Sequence, residues 1–456
     1  MKYVFRFIYI CSLLLLLSCT GSDYVNVVPR ESVAMAAIDF ESLGVQDLER
    51  ILLVGTDSPT SSGLDMSSKM YAFETPDGTL GMVAKVDDGD AVTDMFVKLA
   101  GEGKCSKPEE RRGARFVMIK DSWLAGYTDD AMVVIGPVSL MERTATEQKM
   151  QKMFAQDENH GAKNSRLFQT LDTLNAPISL VAQASALPEQ AVLPFTIGAP
   201  KEADASQIVL AAKISKEDET MTIRGRTFSY NEGIDKKLKE NDKVFRPVTD
   251  DMLGRLSPRS MGFLFMNVNG EDFLKVLQQN RGFQALLAGA NMAIDMDNIL
   301  RSVDGDIVFS LSNMNGDFDL MARLAKRDFL KDVGYWKTSC PAGSSISDAG
   351  KDTYLYKSGD MRYSFGVTAD NLFFSSLRHG EVKAEVDVAL KLPDDVASRS
   401  SAPTPCVAAS VCKRASRIKG SRLAMLVDID KIDNKTVAEI IKPLLGGTNK
   451  ILYIKE

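Results

Sequence analysis

Ser32-Val33-Ala34-Met35-Ala36-Ala37-Ile38-Asp39-Phe40 is the most informative stretch of the chain, because a similar stretch returns far along it. The second stretch is Ser260-Met261-Gly262-Phe263-Leu264-Phe265-Met266-Asn267-Val268. A proline and an arginine stand just upstream of each. Both patterns are typical of a strand that leads into a helix. A recurrence of this kind indicates an internal repeat, which has to be settled before single elements are assigned.

Further similarities follow these two stretches in the same order. The Asp77-Gly78 turn returns as Asn315-Gly316, and both dipeptides favour the positive φ of tight hairpins. Weaker similarities relate Leu180-Val181 to Met425-Leu426 and Ile208 to Ile451. The stronger ones pair Met70–Phe73 with Asp306–Phe309, Met82–Val86 with Leu320–Leu324, and Gly126–Val134 with Gly366–Phe374. The whole series indicates one duplication with small loop insertions.

The duplication predicts an α+β fold made of two tandem related repeats. Each repeat is expected to be a largely antiparallel sheet with helices packed on one face. The predicted domains are residues 19–245 and residues 246–456. Four segments have the apolar spacing of helices with one buried face: they are Asp90–Ala100, Ser139–Phe154, Phe273–Val303 and Thr436–Leu445.

The two repeats differ in the strands that are predicted at their C-terminal ends. Gln207–Ile214 and Met221–Tyr230 are predicted to form a hairpin around the polar turn Lys216–Glu219. The second repeat has no counterpart of the last strand, so either a neighbour covers that sheet edge or the chain is a shortened version of a longer one. Polar stretches rich in small residues predict surface loops at Thr56–Ser68, Pro341–Thr353 and Asp394–Arg417.

The first 18 residues have the pattern of a cleavable signal peptide. Lys2 and Arg6 precede the apolar run Phe7–Leu17, which is too short to span a membrane. Leu16-Leu17-Ser18-Cys19 resembles a lipobox, and this predicts a lipid on Cys19. The alternative is an ordinary secretory signal with a chance cysteine. The prediction implies a membrane anchor in the cell envelope, with the outer membrane favoured because aspartate does not follow Cys19.

Composition argues against a nucleic-acid partner and does not decide whether the cysteines form disulfides. Acidic residues outnumber basic ones, 61 to 55, so a nucleic-acid partner is not expected. Cys406 and Cys412 lie closest among the cysteines beyond the anchor and predict a disulfide, while free cysteines are equally compatible with the sequence. Cys105 and Cys340 lie far from them. None of these spacings matches a zinc site.

Catalytic chemistry has little support in the sequence. The chain has two histidines, His160 and His379, and both stand in polar or turn-like surroundings. Motifs of serine hydrolases, nucleotide-binding loops and zinc proteases are absent. Asp428–Asp433 fails as a calcium loop because Ile432 and Asp433 occupy positions that need an oxygen ligand and a glycine. We therefore expect no catalytic, cofactor-binding or metal-binding residues.

The residues after the lipobox resemble a known family. Asp23–Ser32 followed by Ile38–Leu43 is similar to a Bacteroidetes lipoprotein family of unknown function, the domain of unknown function numbered 4836. The resemblance implies an envelope lipoprotein and supplies no activity, substrate or catalytic residue.

Two functions are compatible with these features. The first is a non-enzymatic binding or scaffolding protein whose partner is a protein of the cell envelope. It would lie on the periplasmic face or on the cell surface. The second is a carrier of a hydrophobic or glycan ligand, suggested by the 21 methionines in apolar segments.

Overall fold

Two compact units, Met1–Ala186 (unit 1) and Leu187–Glu456 (unit 2), make up the chain. The structure is a computed structural model, and it describes a set of residue ranges within the two units. These are residues 24–43, 62–120, 122–187, 192, 195–217, 220–249, 252, 260–279, 294–313, 316–380, 417–431 and 448–456. Cys19, Cys406, Cys412 and the predicted helix Thr436–Leu445 lie outside the described residues.

Unit 1 is built on antiparallel strands. Its strands are β1 (Ala34–Ile38), β2 (Met70–Glu74), β3 (Leu80–Lys85), β4 (Glu109–Arg111), β5 (Ala114–Ile119), β6 (Trp123–Tyr127), β7 (Ala131–Gly136) and β8 (Ile178–Gln183). They pair in the order β8-β1-β2-β3-β7-β6-β5-β4. Gly78 has a φ of 78° in the β2–β3 turn, so the predicted turn chemistry is confirmed there.

Helices pack on both faces of the unit 1 sheet. They are α1 (Phe40–Leu43), α2 (Gly89–Gly101), α3 (Arg143–Phe154) and α4 (Arg166–Asp172). Phe96 of α2 stacks on Tyr127 at 5.5 Å between ring centroids, whereas Phe168 of α4 meets Tyr71 at 5.7 Å. These two tyrosines point to opposite faces. The prediction of helices on one face is therefore wrong here, because strands such as β5 and β7 are apolar on both sides.

The helix predicted over Asp90–Ala100 is confirmed as α2, and its first turn is capped by Asp88. The Asp88 carboxylate accepts hydrogen bonds from the backbone N–H groups of Asp90 and Ala91. The helix predicted from Ser139 begins instead at Arg143.

Unit 2 has a longer series of strands. They are β9 (Val209–Glu217), β10 (Thr220–Phe228), β11 (Phe245–Arg246), β12 (Gly262–Asn269), β13 (Val303–Leu311), β14 (Phe318–Leu324), β15 (Ser344–Gly350), β16 (Thr353–Ser358), β17 (Met361–Val367), β18 (Leu372–His379), β19 (Leu423–Asp428) and β20 (Lys450–Lys455). The pairing order is β9-β10-β20-β19-β12-β13-β14-β18-β17-β16-β15, and β11 pairs with the end of β12. All pairs are antiparallel except β10–β20.

The helices of unit 2 that lie wholly within the described ranges are α5 (Glu232–Asp242), α6 (Gly270–Leu277), α7 (Met296–Arg301) and α8 (Val333–Thr338). The single helix predicted over Phe273–Val303 overlaps α6, which begins earlier at Gly270, and contains α7, while its final residue belongs to β13 instead. Phe273 and Ile299 bring these helices onto one apolar cluster with Phe329 and Trp336. None of the helices in the described ranges has the length and apolarity that a membrane-spanning segment needs.

The predicted hairpin is confirmed, with a shorter turn than expected. Lys216 and Glu217 already pair with Met221 and Thr220. The hairpin belongs to unit 2, although its residues precede the repeat boundary predicted at 245/246; that boundary stays a prediction. β10 covers the edge of β20, which is the edge expected to be open in the second repeat.

One predicted loop contains a strand. Pro341–Thr353 was expected to be a surface loop, yet Ser344–Gly350 forms β15 against β16. Serine, glycine and aspartate disfavour strands on their own, so the neighbouring strand has determined the conformation of this segment.

Candidate functional site

The predicted site residues give no site within the described structure. Cys19 and the pair Cys406 and Cys412 are outside it. Cys105 and Cys340 are free and half-buried, and burial raises the pKa of the Cys105 thiol. Across the described parts of the chain, histidine, cysteine and acidic side chains do not gather in threes as a metal site would require.

The two histidines each hydrogen bond to an aspartate in a turn. His160 Nδ1 meets Asp157 Oδ1, whose side chain also accepts from the backbone of the same turn. His379 Nδ1 lies 2.9 Å from Asp317 Oδ1 at the end of β18. Although burial opposes the change, the contact with His379 lowers the pKa of Asp317. Neither histidine adjoins a nucleophilic side chain in these contacts, so both arrangements stabilise turns.

The clearest exposed feature lies at one end of the unit 1 sheet. There the large apolar side chains of Leu80, Trp123, Leu140 and Met141 face solvent, and we call this group the apolar tip. Met141 is 94% exposed and Leu140 is 67% exposed. Burial of such side chains is the normal outcome of folding, so four of them exposed at one end of a sheet make a candidate binding surface.

Strand pairing places the members of the apolar tip at the same end of the sheet. Leu80 begins β3 and pairs with Gly136, the last residue of β7. The indole of Trp123 covers Gly136 so closely that a Cβ there would lie 2.3 Å from the ring. The backbone of Val138 then donates to the carbonyl of Ser122. Gly136 thus makes room for the indole between β6 and the turn that follows β7.

Hydrogen bonds between Ser139 and Glu142 close the turn that carries Leu140 and Met141. The backbone N–H of Glu142 donates to the Ser139 carbonyl at 3.0 Å. The Ser139 hydroxyl donates to Glu142 Oε2 at 2.6 Å, and the Ser139 N–H donates to the same oxygen. These hydrogen bonds from Ser139 lower the pKa of Glu142. The two apolar side chains are therefore held on a fixed turn.

An ion-pair cluster supports α3, the helix that follows this turn. Glu147 accepts from Arg111 Nη1 and Arg143 Nε, each at 2.8 Å, and its own side chain is 3% exposed. Glu109 Oε2 lies 3.0 Å from both arginines. The cluster fixes the first turn of α3 to β4, and so fixes the base of the apolar tip.

Unit 2 has a row of aromatic rings on the core-facing side of its sheet. Phe309 and Phe318 are half-buried on β13 and β14, with ring centroids 5.0 Å apart. The row continues through Tyr363, Phe365 and Tyr354 on β17 and β16, and we call these five rings the aromatic strip. Burial raises the pKa of Tyr363 to about 12, whereas Tyr354 at the far end is half-buried. The strip therefore crosses the core of unit 2, where Tyr363 and Phe365 are buried, and its ends at Phe309 and Tyr354 are half-buried.

Sequence reasoning missed the apolar tip, because Leu140 and Met141 were counted with the buried face of a helix predicted from Ser139. The sequence did contain a signal for this turn. Ser139 and Glu142 are three residues apart, and a serine and a glutamate at this spacing can close a turn before a helix.

Comparisons with known proteins give a family and no activity. Residues 45–392 match the family model described as Domain of unknown function (DUF4836). No curated protein gives a match.

Solved structures similar to this chain include crystal forms of TP0453. Crystal form I shares 10% identity with this chain at a TM-score of 0.23, and the match covers 83% of this chain and 98% of that chain. Crystal form IV has 10% identity and a TM-score of 0.23, covering 41% of this chain and 66% of that chain, which is just under two thirds. At this TM-score the overlap does not establish a shared fold.

Proposed function

The chain belongs to the DUF4836 family, and from that premise we propose that it is a non-enzymatic binding or scaffolding protein of the cell envelope. We further propose that a lipid on Cys19 anchors it in the outer membrane. The observation that carries the binding role is the apolar tip of unit 1. The partner it fits is a protein with a complementary apolar pocket.

The composition of the apolar tip favours a protein partner. Tryptophan and methionine are enriched in protein interfaces, and a few such side chains commonly supply most of the binding energy. The turn at Leu140 and Met141 is already closed by Ser139 and Glu142, so little conformational entropy has to be lost on binding.

Cys19 precedes Tyr24 in the sequence, and the Tyr24 hydroxyl lies toward the end of β2 opposite the apolar tip. The Tyr24 hydroxyl donates to the carbonyl of Lys69, which precedes the first residue of β2. Leu80, by contrast, pairs with Glu74, the last residue of β2. The residues from Cys19 to Tyr24 span at most about 18 Å when extended. An anchor at Cys19 would therefore hold the Tyr24 end near the membrane and leave the apolar tip free for a partner.

We also propose that the two units descend from one duplicated domain. The pairing order β8-β1-β2-β3-β7-β6-β5-β4 of unit 1 supports this, because β19-β12-β13-β14-β18-β17-β16-β15 of unit 2 follows the same path. In both units a helix lies between the third strand and the outer strand in sequence, α2 in one and α8 in the other. Such a duplicated scaffold can present two different binding surfaces.

The experiment places a photo-crosslinking amino acid at position 141 of the full chain in intact cells. We expect one specific crosslinked protein, and its yield should fall at least tenfold when Leu140→Ser and Trp123→Ala are added. The matched control has the crosslinker at Val97, which is also an exposed apolar position of unit 1. The proposal fails if positions 141 and 97 capture the same proteins, or if the added substitutions leave the product unchanged.

The second candidate function is a carrier of a hydrophobic ligand, and the aromatic strip favours it. Phe309 and Phe318 offer no hydrogen-bonding groups to a glycan, so this end of the strip suits a hydrophobic ligand better. Native mass spectrometry of the purified chain should then show a co-purified apolar molecule that Phe309→Ser and Phe318→Ser remove. Tyr335→Ser, at an exposed aromatic residue elsewhere in unit 2, should leave it bound. Absence of any such molecule from the wild-type chain would exclude this function.

A further inference from the structure

The outer strand of unit 2, β15, has one exposed edge. It pairs with β16 on one side, and no residue in the described ranges pairs with its other side. Ser345, Ser347, Asp348, Ala349 and Gly350 are all exposed, and only Ile346 is buried. An edge of this kind presents unpaired backbone N–H and C=O groups that can accept a further strand.

The equivalent outer strand of unit 1 is protected, and β15 is not. β4 has only three residues, all of them charged. Its side chains are held in the ion-pair cluster, Arg111 by Glu147 and Glu109 by Arg143. Short length and charge are the usual means of blocking strand addition. β15 has seven residues and a single charge, at Asp348, which Lys337 neutralises at 2.7 Å.

We propose that β15 pairs in antiparallel fashion with β15 of a second copy of this chain. The regular part of the strand runs from Ser344 to Asp348, because its register shifts before Gly350. A two-fold axis through Ile346 would place Ile346 opposite its own copy, Ser345 opposite Ser347, and Ser344 opposite Asp348. Each contact would then occur twice, as an isologous interface requires.

The side chains brought together by this register are complementary. The two Ile346 side chains would extend the apolar cluster of unit 2, to which Ile346 already belongs. Asp348 would lie opposite the uncharged Ser344, whose hydroxyl donates to the Pro341 carbonyl at 2.7 Å, and Ser345 can hydrogen bond to Ser347. A register centred on Ser347 would instead place each Asp348 beside an Ile346. The interface centred on Ile346 has no like charges opposite each other, which favours a second copy as the occupant.

Cysteine crosslinking in membranes from cells that make the full chain tests both the partner and the register. Two tagged forms are made together, one with Ser345→Cys and the other with Ser347→Cys. Residues directly opposite in an antiparallel pair lie about 4.5–5.5 Å apart between Cα atoms, within disulfide range. Diagonal neighbours lie about 7–8 Å apart, outside the common range. Oxidation should therefore give a mixed dimer in at least fivefold excess over either like pair.

Two controls complete the test. The wild-type chain, which keeps Cys105 and Cys340, gives the background, and Thr144→Cys places a thiol on an exposed surface of unit 1. Sedimentation of the purified full chain in detergent should show a dimer that Ser345→Lys and Ser347→Lys together weaken at least tenfold. Thr144→Lys should leave the dimer intact.

Three results would overturn the proposal. One is a monomer at all concentrations, and another is equal crosslinking of like and mixed pairs. The third is capture of a different protein by the Ser347→Cys form without a mixed dimer, which would assign β15 to another partner. These results test β15 alone. The proposed function of the apolar tip is tested separately, by crosslinking at position 141.

Discussion

At the scale of single residues, Glu147 has an unusual environment for a carboxylate. Its side chain is 3% exposed and meets Arg111 and Arg143 at 2.8 Å each. Glu109 neutralises part of the remaining positive charge. A nearly buried charge is tolerated only when it is paired, so removal of Glu147 leaves two guanidinium groups without their main acceptor.

We expect Glu147→Ala to lower the free energy of unfolding by about 2–3 kcal/mol, less than for a fully buried pair because Arg111 is half-exposed. Urea unfolding monitored by circular dichroism measures the change. Glu110→Ala is the control, because this exposed glutamate of β4 should change stability by less than about 0.5 kcal/mol. Equal effects of the two substitutions would show that the ion-pair cluster does not support α3.

Asp65 predicts a pH dependence. The hydrogen bond from Lys85 at 2.8 Å, helped by Ser67 and Ser68, lowers the pKa of Asp65 well below its usual value. A pKa that is lower in the folded state stabilises the fold above the unfolded pKa of about 3.9, and this contribution is lost as the pH falls. The stability difference between wild type and Asp65→Asn should therefore be constant at neutral pH and shrink below about pH 5.

Urea unfolding of both chains at a series of pH values measures that difference. Lys85→Met serves as the companion variant, because it removes the main donor and should reduce the pH dependence of the wild-type chain. A difference that grows on acidification would contradict the prediction, since it would require a raised pKa for Asp65 in the folded state.

At the scale of elements, close approach of backbones sets the strictest limits. Gly270 opens α6, where an added Cβ would lie 1.9 Å from the carbonyl oxygen of Leu300 and 2.9 Å from that of Val303. Backbone atoms cannot move aside as a flexible side chain can. Gly334 in α8, by contrast, has no atom within 4 Å of the same added carbon.

Gly270→Ala should therefore destabilise the chain by at least about 2 kcal/mol through the forced shift of α7. Gly334→Ala should stabilise it by about 0.5–1 kcal/mol, because alanine lowers the entropy of the unfolded chain without a clash. Thermal unfolding of the two variants measures both changes. Equal and small effects would mean that α6 and α7 can separate freely at this point.

Elements with a local signal could be predicted from the sequence. The Asp77-Gly78 turn and the helix α2 carry their own determinants, a glycine that adopts positive φ and an aspartate cap. β15 could not be predicted, since its strand conformation comes from pairing with β16. The apolar tip was missed because Ser139–Glu142 form a closed turn where helical spacing suggested a buried face.

At the scale of the whole molecule, each unit has its own hydrophobic core. Phe96 and Tyr127 belong to the core of unit 1, and Phe265 and Phe329 belong to clusters within unit 2. A unit with its own core can unfold as a cooperative unit. The chain also has two tryptophans, Trp123 in unit 1 and Trp336 in unit 2, which provide one fluorescent probe in each.

We therefore predict that a core substitution moves only the probe of its own unit. Phe116→Leu in unit 1 should cost about 1 kcal/mol and shift the urea midpoint reported by Trp123. The midpoint reported by Trp336 should stay unchanged, and Phe265→Leu in unit 2 should give the reverse pattern. Each is measured by fluorescence in a chain whose other tryptophan is replaced by phenylalanine. A joint shift of both probes would mean that the two units unfold as one, because a single transition moves every probe together.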